Sequence, residues 1–212
     1  MKRLFIASGL TMGEVNQVVK QLGGVENFRR LKNGNTLANN VRGLIEETEI
    51  SPVLKPTGDP LVLPAQTGYF CVSDWFREGK MDDGVEIVNT NVTFERQFFD
   101  KVEIGIPEVE LTPYALTKAR RSPEIIIALG GEERAEISLW HLRRLMRRTQ
   151  AGEPTVIQSG RNVFYGRDAR LVLWEIAVYW NDDTGRNWNV NALSLDYPFA
   201  SNRGDRVFSC DS

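Results

Sequence analysis

The sequence has few of the residue types on which recognisable active sites depend. It contains one histidine, His141, and two cysteines, Cys71 and Cys210, which lie far apart and outside any CxxC or Cys/His pattern. Because a structural zinc site needs about four such ligands at close spacing, we expect no metal and no cofactor. The sequence also lacks a glycine-rich phosphate loop and the G-x-S-x-G and H-E-x-x-H motifs, so it identifies no catalytic residue.

An excess of positive charge and long apolar runs are missing as well. Lysine and arginine number 26 against 28 aspartates and glutamates, which gives a net charge of −2. Dedicated nucleic-acid-binding domains are usually basic, so nucleic acid is expected to be a weak partner at most. No segment approaches the roughly 20 apolar residues of a membrane span, and the apolar run at residues 4–7 is too short for a signal peptide. We therefore expect a cytoplasmic protein without membrane contact, with both cysteines reduced and unpaired.

Helical spacing and proline content divide the chain into three parts. A T-x-x-E capping box at Thr11 and apolar residues at helical spacing predict a helical hairpin within an N-terminal segment, residues 1–50. Four prolines in residues 51–64 predict an irregular linker, because proline fixes φ and lacks a donor. Residues 65–212 are expected to form the main domain.

The expected fold class is α+β. Within the main domain, β-branched and aromatic residues between 85 and 106 predict intermediate strands, while residues 125–129 are compatible with either a helix or a strand. Strands with short links then fill residues 155–212, which favours a C-terminal antiparallel meander sheet. The expected fold also includes the N-terminal helical hairpin and one amphipathic helix.

Alternation along the longest C-terminal strand predicts which side of the sheet is buried. Trp174, Ile176 and Trp180 share one face, and Trp188 continues it on the next strand, where Asn191 points the other way. Tryptophans flanked by aliphatic residues are usually core. We therefore interpret this face as core and not as a platform for stacking ligands.

The amphipathic helix lies in ISLWHLRRLMRRTQAGE, residues 137–153. Ser138 is a suitable N-cap for a helix over residues 139–150. Three apolar side chains, Leu142, Leu145 and Met146, fall on one stripe that should be buried.

Four arginines of this helix, in pairs four residues apart, face away from the apolar stripe. They are Arg143, Arg144, Arg147 and Arg148. A solvated outer face is the favoured interpretation, and a stripe that contacts the phosphates of a nucleic acid is the alternative. We expect Arg143, Arg147 and Arg148 to be largely accessible, and the four arginines are the best candidates for contact with an anionic partner.

Other candidate residues have simple structural interpretations. A catalytic His141 would need a nucleophile such as Cys71 and an orienting carboxylate, which the local sequence does not supply, so we interpret it as a partly exposed helix histidine. Cys71 lies inside the apolar stretch GYFCV and is more typical of a core residue. Asp182 and Asp183 lack the regular oxygen spacing of a calcium loop and are more typical of a polar turn.

The segments NVFYGRD, WNVNALSLDYP and GDRVFS resemble the C-terminal part of a group of uncharacterised small proteins, chiefly from uncultivated bacterial lineages. The segment ISLWHLRRLMRRTQAGE is similar to the helix that precedes it in that group. This group has no assigned activity, so the resemblance implies no catalytic residue. Gly166 occupies a position where those proteins usually have valine, the glycine of their following hairpin is missing here, and their helix is typically less basic.

These observations favour a non-enzymatic interaction or binding module, with a protein as one possible partner. The alternatives are a hydrolase with an unrecognised acidic site or a Cys71/His141 pair, and a weak nucleic-acid binder that uses the helix at residues 143–148. A cleft that holds two carboxylates or a Cys71–His141 hydrogen bond would favour the hydrolase. A flat apolar or basic patch without such groups would favour the binder.

Overall fold

The computed structural model describes residues 52–80, 83–153, 157, 160–181 and 185–211. The helical hairpin expected within residues 1–50 lies outside these residues, as do Asp182 and Asp183. The strands of the described part are β1 (Leu54–Pro56), β2 (Leu61–Leu63), β3 (Gln66–Cys71), β4 (Gly79–Lys80), β5 (Glu86–Thr90), β6 (Val102–Ile106), β7 (Val109–Leu116), β8 (Gly160–Arg167), β9 (Leu173–Asn181), β10 (Asn187–Leu193) and β11 (Arg206–Asp211). Its helices are α1 (Val72–Trp75), α2 (Val92–Phe98), α3 (Ser122–Leu129), α4 (Glu132–Ala135) and α5 (Leu139–Gln150).

One large sheet dominates the described residues. Its strands follow the order β1-β7-β11-β8-β9-β10-β5-β4, and β2 pairs with the same strand β7 as β1 does. Most neighbours are antiparallel, but β5 runs parallel to β10 and β11 runs parallel to β8. Strands β3 and β6 form a separate two-stranded sheet. The large sheet is therefore mixed.

The expected α+β fold class with a separate C-terminal antiparallel meander is wrong. Strands hold 43% and helices 24% of the described structure, and the intermediate strands β5 and β7 belong to the same sheet as the C-terminal ones. Only β8, β9 and β10 follow one another as an antiparallel meander. The last strand, β11, instead inserts between β7 and β8.

The link between β10 and β11, residues 194–205, explains this departure. Since β8 and β10 are each antiparallel to β9, and β11 is parallel to β8, β10 and β11 point in the same direction. Such strands need a crossover of about a dozen residues. The link must cross three strand spacings of about 4.8 Å each, which a segment of this length can span. It is not a short turn, so it does not force an antiparallel neighbour.

The two sides of the large sheet carry separate apolar cores. We name the side with Phe164, Ile176 and Phe208 the α5 face, because these residues share a core with α5. We name the side with Val163 and Tyr165 the α3 face, because these residues share a core with α3.

The predicted burial of the tryptophan face is confirmed on the α5 face. Ile176, Trp180 and Trp188 are buried and Trp174 is half-buried. Trp188 lies opposite Trp180 across the strand pair, and their ring centroids are 4.5 Å apart. These tryptophans therefore belong to the core and do not form a stacking platform.

Two strands lie in the proline-rich segment that the sequence predicts to be irregular. Both β1 and β2 pair with β7, so residues 54–63 belong to the large sheet and do not form a linker outside it. Pro56 ends β1, while Pro60 and Pro64 flank β2. Proline at the ends of edge strands leaves the sheet hydrogen bonds intact, which is why the composition alone was misleading.

Two other local predictions are decided by capping. Residues 92–98, predicted as strand, form α2 because the Asn91 side chain accepts a hydrogen bond from the Phe94 N–H at 2.8 Å, as N-caps do. Residues 125–129, for which both possibilities were open, are helical in α3. Gly130 ends that helix in the left-handed conformation, with φ of 102°.

Candidate functional site

Helix α5 has the predicted bounds, and its cap and apolar stripe are confirmed. Ser138 Oγ accepts the His141 backbone N–H at 3.1 Å, and Leu142, Leu145 and Met146 are buried. A second group caps the N-terminus of α5, the carboxylate of Glu103 on β6, which the sequence did not reveal. Its two oxygens accept the N–H groups of Leu139 and Trp140, both at 2.9 Å. The helix is thus anchored to the small sheet through its N-terminal amides.

The predicted accessibility of Arg143 is wrong. Its side chain is 2% exposed and forms a two-pronged ion pair with Asp83, with Nε–Oδ2 at 2.9 Å and Nη2–Oδ1 at 2.6 Å. The guanidinium also lies over the rings of Trp75 and Phe76, at 5.8 and 5.9 Å from their centroids. Burial lowers the pKa of Arg143, and the hydrogen bonds to Asp83 oppose that change. Arg143 is therefore an internal tie and not a contact for an outside anion.

The other three arginines of α5 do not form one open stripe. Arg147 is exposed, as predicted. Arg148 is half-buried and pairs with Glu153 at 3.3 Å. Arg144 is half-buried too, and its guanidinium lies 5.5 Å from the centre of the Trp140 ring. The contact of these three arginines with an anionic partner stays a prediction, and Arg147 is the one of the three that is exposed.

His141 is buried, not partly exposed as predicted, and 1% of its surface is accessible. Its Nε2 is 3.1 Å from the carbonyl of Pro64 and its Nδ1 is 2.9 Å from Ser138 Oγ. Because a carbonyl only accepts, Nε2 carries the proton and Nδ1 accepts from the serine hydroxyl. Burial lowers the pKa of His141, against a smaller opposing effect of the Pro64 carbonyl and of the charge on Glu103. Both ring nitrogens are engaged, which leaves neither for the thiol of Cys71.

No disulfide joins the two cysteines, both of which the structure describes. Cys71 ends β3 and is half-buried, and Cys210 lies in β11 and is buried.

A buried polar cluster lies on the α3 face, and no sequence pattern indicated it. Arg161 binds the carboxylate of Glu175 through Nη2 and that of Asp205 through Nη1, the latter at 3.2 Å. The hydroxyl of Ser122, the first residue of α3, donates to the second oxygen of Glu175. Burial, and secondarily the charge of Glu175, raises the pKa of Tyr165 beside them well above its usual value. Each carboxylate therefore has a cationic partner.

Next to this cluster, the link between β10 and β11 leaves an open cleft of about 470 Å³ against the α3 face. We name it the crossover cleft. Its floor consists of side chains that point to this face from three neighbouring strands, and its other wall comes from the link itself. The lining includes Arg161, Tyr179, Asn191, Tyr197, Phe199 and Asn202.

The link begins with a hydrogen-bonded turn, is tied to Arg120 near its other end, and exposes aromatic side chains. Tyr197 N–H bonds to Ser194 C=O at one end. At the other end, Ser201 exchanges two backbone hydrogen bonds with Arg120, at 2.8 and 2.9 Å. Within the link, Tyr197 and Phe199 are 42% and 71% exposed, and their ring centroids are 5.4 Å apart.

Sequence reasoning missed the crossover cleft, although one signal was available. It placed Asn191 on the solvent side of its strand, which is correct, but treated the following residues as a turn-rich link. The tyrosine and phenylalanine on either side of Pro198 are unusual for a link that only reverses the chain, because large apolar side chains there remain in water.

No protein family, curated protein or solved structure matches this chain. The resemblance to the uncharacterised bacterial group therefore stays a prediction. Within the described residues, no helix is long and apolar enough to cross a membrane. In the same part of the chain, no group of three or more His, Cys, Asp or Glu side chains is arranged to hold a metal ion.

Proposed function

We propose that the protein is a non-enzymatic binding module that takes a small polar ligand in the crossover cleft. The observation that carries this proposal is the pair Tyr197 and Phe199, exposed over a polar floor on a link that Ser201 ties to Arg120. Leaving large aromatic surface in water is unfavourable unless it covers something. The cleft volume of about 470 Å³ falls in the range of roughly 300–1,000 Å³ that is typical of small-molecule sites.

The pairing of the nearby carboxylates favours binding over hydrolysis. General acid–base catalysis needs a carboxyl group that can exchange a proton with substrate. Glu175 uses its two oxygens on Arg161 and Ser122, and Asp205 bonds both Arg161 and the backbone N–H of Asn202. These contacts occupy acceptor sites on both carboxylates. The cluster is suited to hold the link and the sheet in register.

The geometry of α5 does not favour the nucleic-acid alternative. A phosphate-binding stripe needs several free cationic groups at helical spacing. Two of the four arginines of α5 already form ion pairs, Arg143 with Asp83 and Arg148 with Glu153.

A thermal-unfolding screen with the full chain tests the proposed function. The panel contains the neutral disaccharides maltose, cellobiose and lactose, together with adenosine monophosphate, phosphocholine and trialanine. A ligand at about 10 mM with a Kd of about 1 mM raises the free energy of unfolding by about 1.4 kcal/mol, which corresponds to a rise in Tm of about 3–6 °C for a chain of this size.

Phe199→Ala should abolish the rise in Tm, because it removes the more exposed ring of the cleft. Tyr69→Ala is the matched control, since Tyr69 is 76% exposed on β3 and is not among the residues that line the cleft. A panel in which no compound raises Tm, or one whose effects are the same in both variants and the wild type, would show that the cleft is not a binding site.

A further inference from the structure

The geometry points to a neutral saccharide as the ligand of the crossover cleft. This inference rests on the proposed function and adds the chemical class of the ligand. It is carried by three properties of the lining: its charge, its uncommitted hydrogen-bonding groups, and the arrangement of its aromatic rings.

The charge of the lining favours an uncharged ligand. Arg161 is the one ionisable group of unit charge at pH 7 among the described residues that line the cleft. Its guanidinium is already bound by Glu175 and Asp205, so it offers an incoming phosphate or carboxylate little net attraction. A cationic ligand would find no carboxylate among the residues that line the cleft, and the two acidic groups that contact Arg161 belong to its ion-pair cluster. Charged ligands would therefore lose hydration without gaining a partner.

The hydrogen-bonding groups match those of hydroxyls. The side-chain amides of Asn191, on the floor, and Asn202, on the link, make no hydrogen bond to another described side chain or backbone group. An amide presents both donors and an acceptor, and the phenol of Tyr179 on the floor does both as well. Sugar hydroxyls also donate and accept, so adjacent hydroxyls can pair with one amide in two directions. A ligand that only accepts or only donates would satisfy half of these groups.

The two exposed aromatic rings of the lining lie on the link, while the floor presents the amide of Asn191 and the hydroxyl of Tyr179. Asn191 lies on the sheet, whereas Tyr197 and Phe199 lie on the crossover link and their rings are inclined at 56°. A pyranose ring has a polar edge of hydroxyls and an apolar face of C–H groups. Placed with its edge on the floor, it would cover the exposed aromatic faces with that apolar surface. By contrast, Asn91, a further lining residue, has its amide committed to Phe94 and Ala192 and serves as structural support.

Isothermal titration calorimetry of the full chain with each disaccharide of the panel tests this inference. At least one of maltose, cellobiose and lactose should bind with a Kd between about 0.1 and 10 mM. Because the ligand is neutral, the Kd should change less than twofold between about 50 mM and 0.5 M sodium chloride. Phe199→Ala and Asn191→Leu should each weaken binding about tenfold or more. Tyr69→Ala should leave the Kd unchanged.

The outcomes separate the ligand class from the site. If adenosine monophosphate, phosphocholine or trialanine binds in a manner that depends on Phe199, and no disaccharide does, the saccharide class is refuted and the binding module stands. If no probe binds, or if a disaccharide binds equally well to Phe199→Ala, Asn191→Leu and wild type, both inferences are refuted. Circular dichroism of each variant excludes unfolding as the cause of lost binding.

Discussion

Replacing Arg143 by glutamine is expected to destabilise the fold by about 3–5 kcal/mol, the usual cost of breaking a buried ion pair by removing one partner. Both groups are well shielded from water, since the side chains of Arg143 and Asp83 are 2% and 10% exposed. Glutamine would offer Asp83 one neutral donor in place of a two-pronged cationic one, beside the Val85 N–H that Asp83 already accepts at 3.1 Å. It would also remove the guanidinium from the rings of Trp75 and Phe76, where it lies within 6 Å of both centroids.

Urea unfolding followed by tryptophan fluorescence and far-UV circular dichroism measures this change. Arg147→Gln is the matched control, because it alters the same residue type on the same helix at an exposed position. Its effect should stay within about 0.5 kcal/mol, as for most surface substitutions. The double replacement Arg143→Met with Asp83→Leu should recover part of the lost stability, since no unpaired charge then remains buried.

The reasoning would be refuted by an Arg143→Gln variant whose stability equals that of Arg147→Gln. That result would mean that Arg143 is solvated, as the sequence pattern alone predicts, and would add it to Arg147 as an accessible arginine of α5.

Three further predictions concern the packing around α5 and the hairpin between β8 and β9. Folding lowers the pKa of His141, so the neutral ring stabilises the fold above the unfolded-state pKa of about 6.5. This stabilisation is lost as the pH falls below that value, by at most about 1.4 kcal/mol per pH unit. Urea midpoints between pH 7 and 5 should therefore depend less on pH in His141→Gln than in the wild type. Gly166→Val should destabilise the folded protein by about 1–3 kcal/mol, because a Cβ at this position would lie 2.9 Å from Ile176 Cδ1. Gly68→Val, at an exposed position of β3, is the control and should change the urea midpoint little. Leu171 is exposed and has a φ of 64°, a left-handed conformation that strains a residue with a Cβ. Leu171→Gly should therefore raise Tm by relieving up to about 1 kcal/mol of this strain. An unchanged or lower Tm would contradict this prediction.

Local sequence patterns predicted α5 well because both its cap and its stripe depend on residues within two turns of one another. The same holds for the tryptophan face of β9, where alternation fixes which side chains point together. The failure at Arg143 has a different origin. Its partner Asp83 is 60 positions away in the chain, and helical spacing cannot show that a neighbouring segment covers the outer face of the helix.

The sequence by itself determined the helical period of α5, the alternation of β8 to β10 and the choice of Trp180 and Trp188 as core, because each follows from backbone geometry over a few residues. Tertiary structure alone decided that β11 inserts between β7 and β8, that Arg143 and His141 are buried, and that residues 194–205 enclose a cleft on the α3 face. These features depend on pairings between distant segments, whose free energies come from surfaces that meet only after the chain has folded.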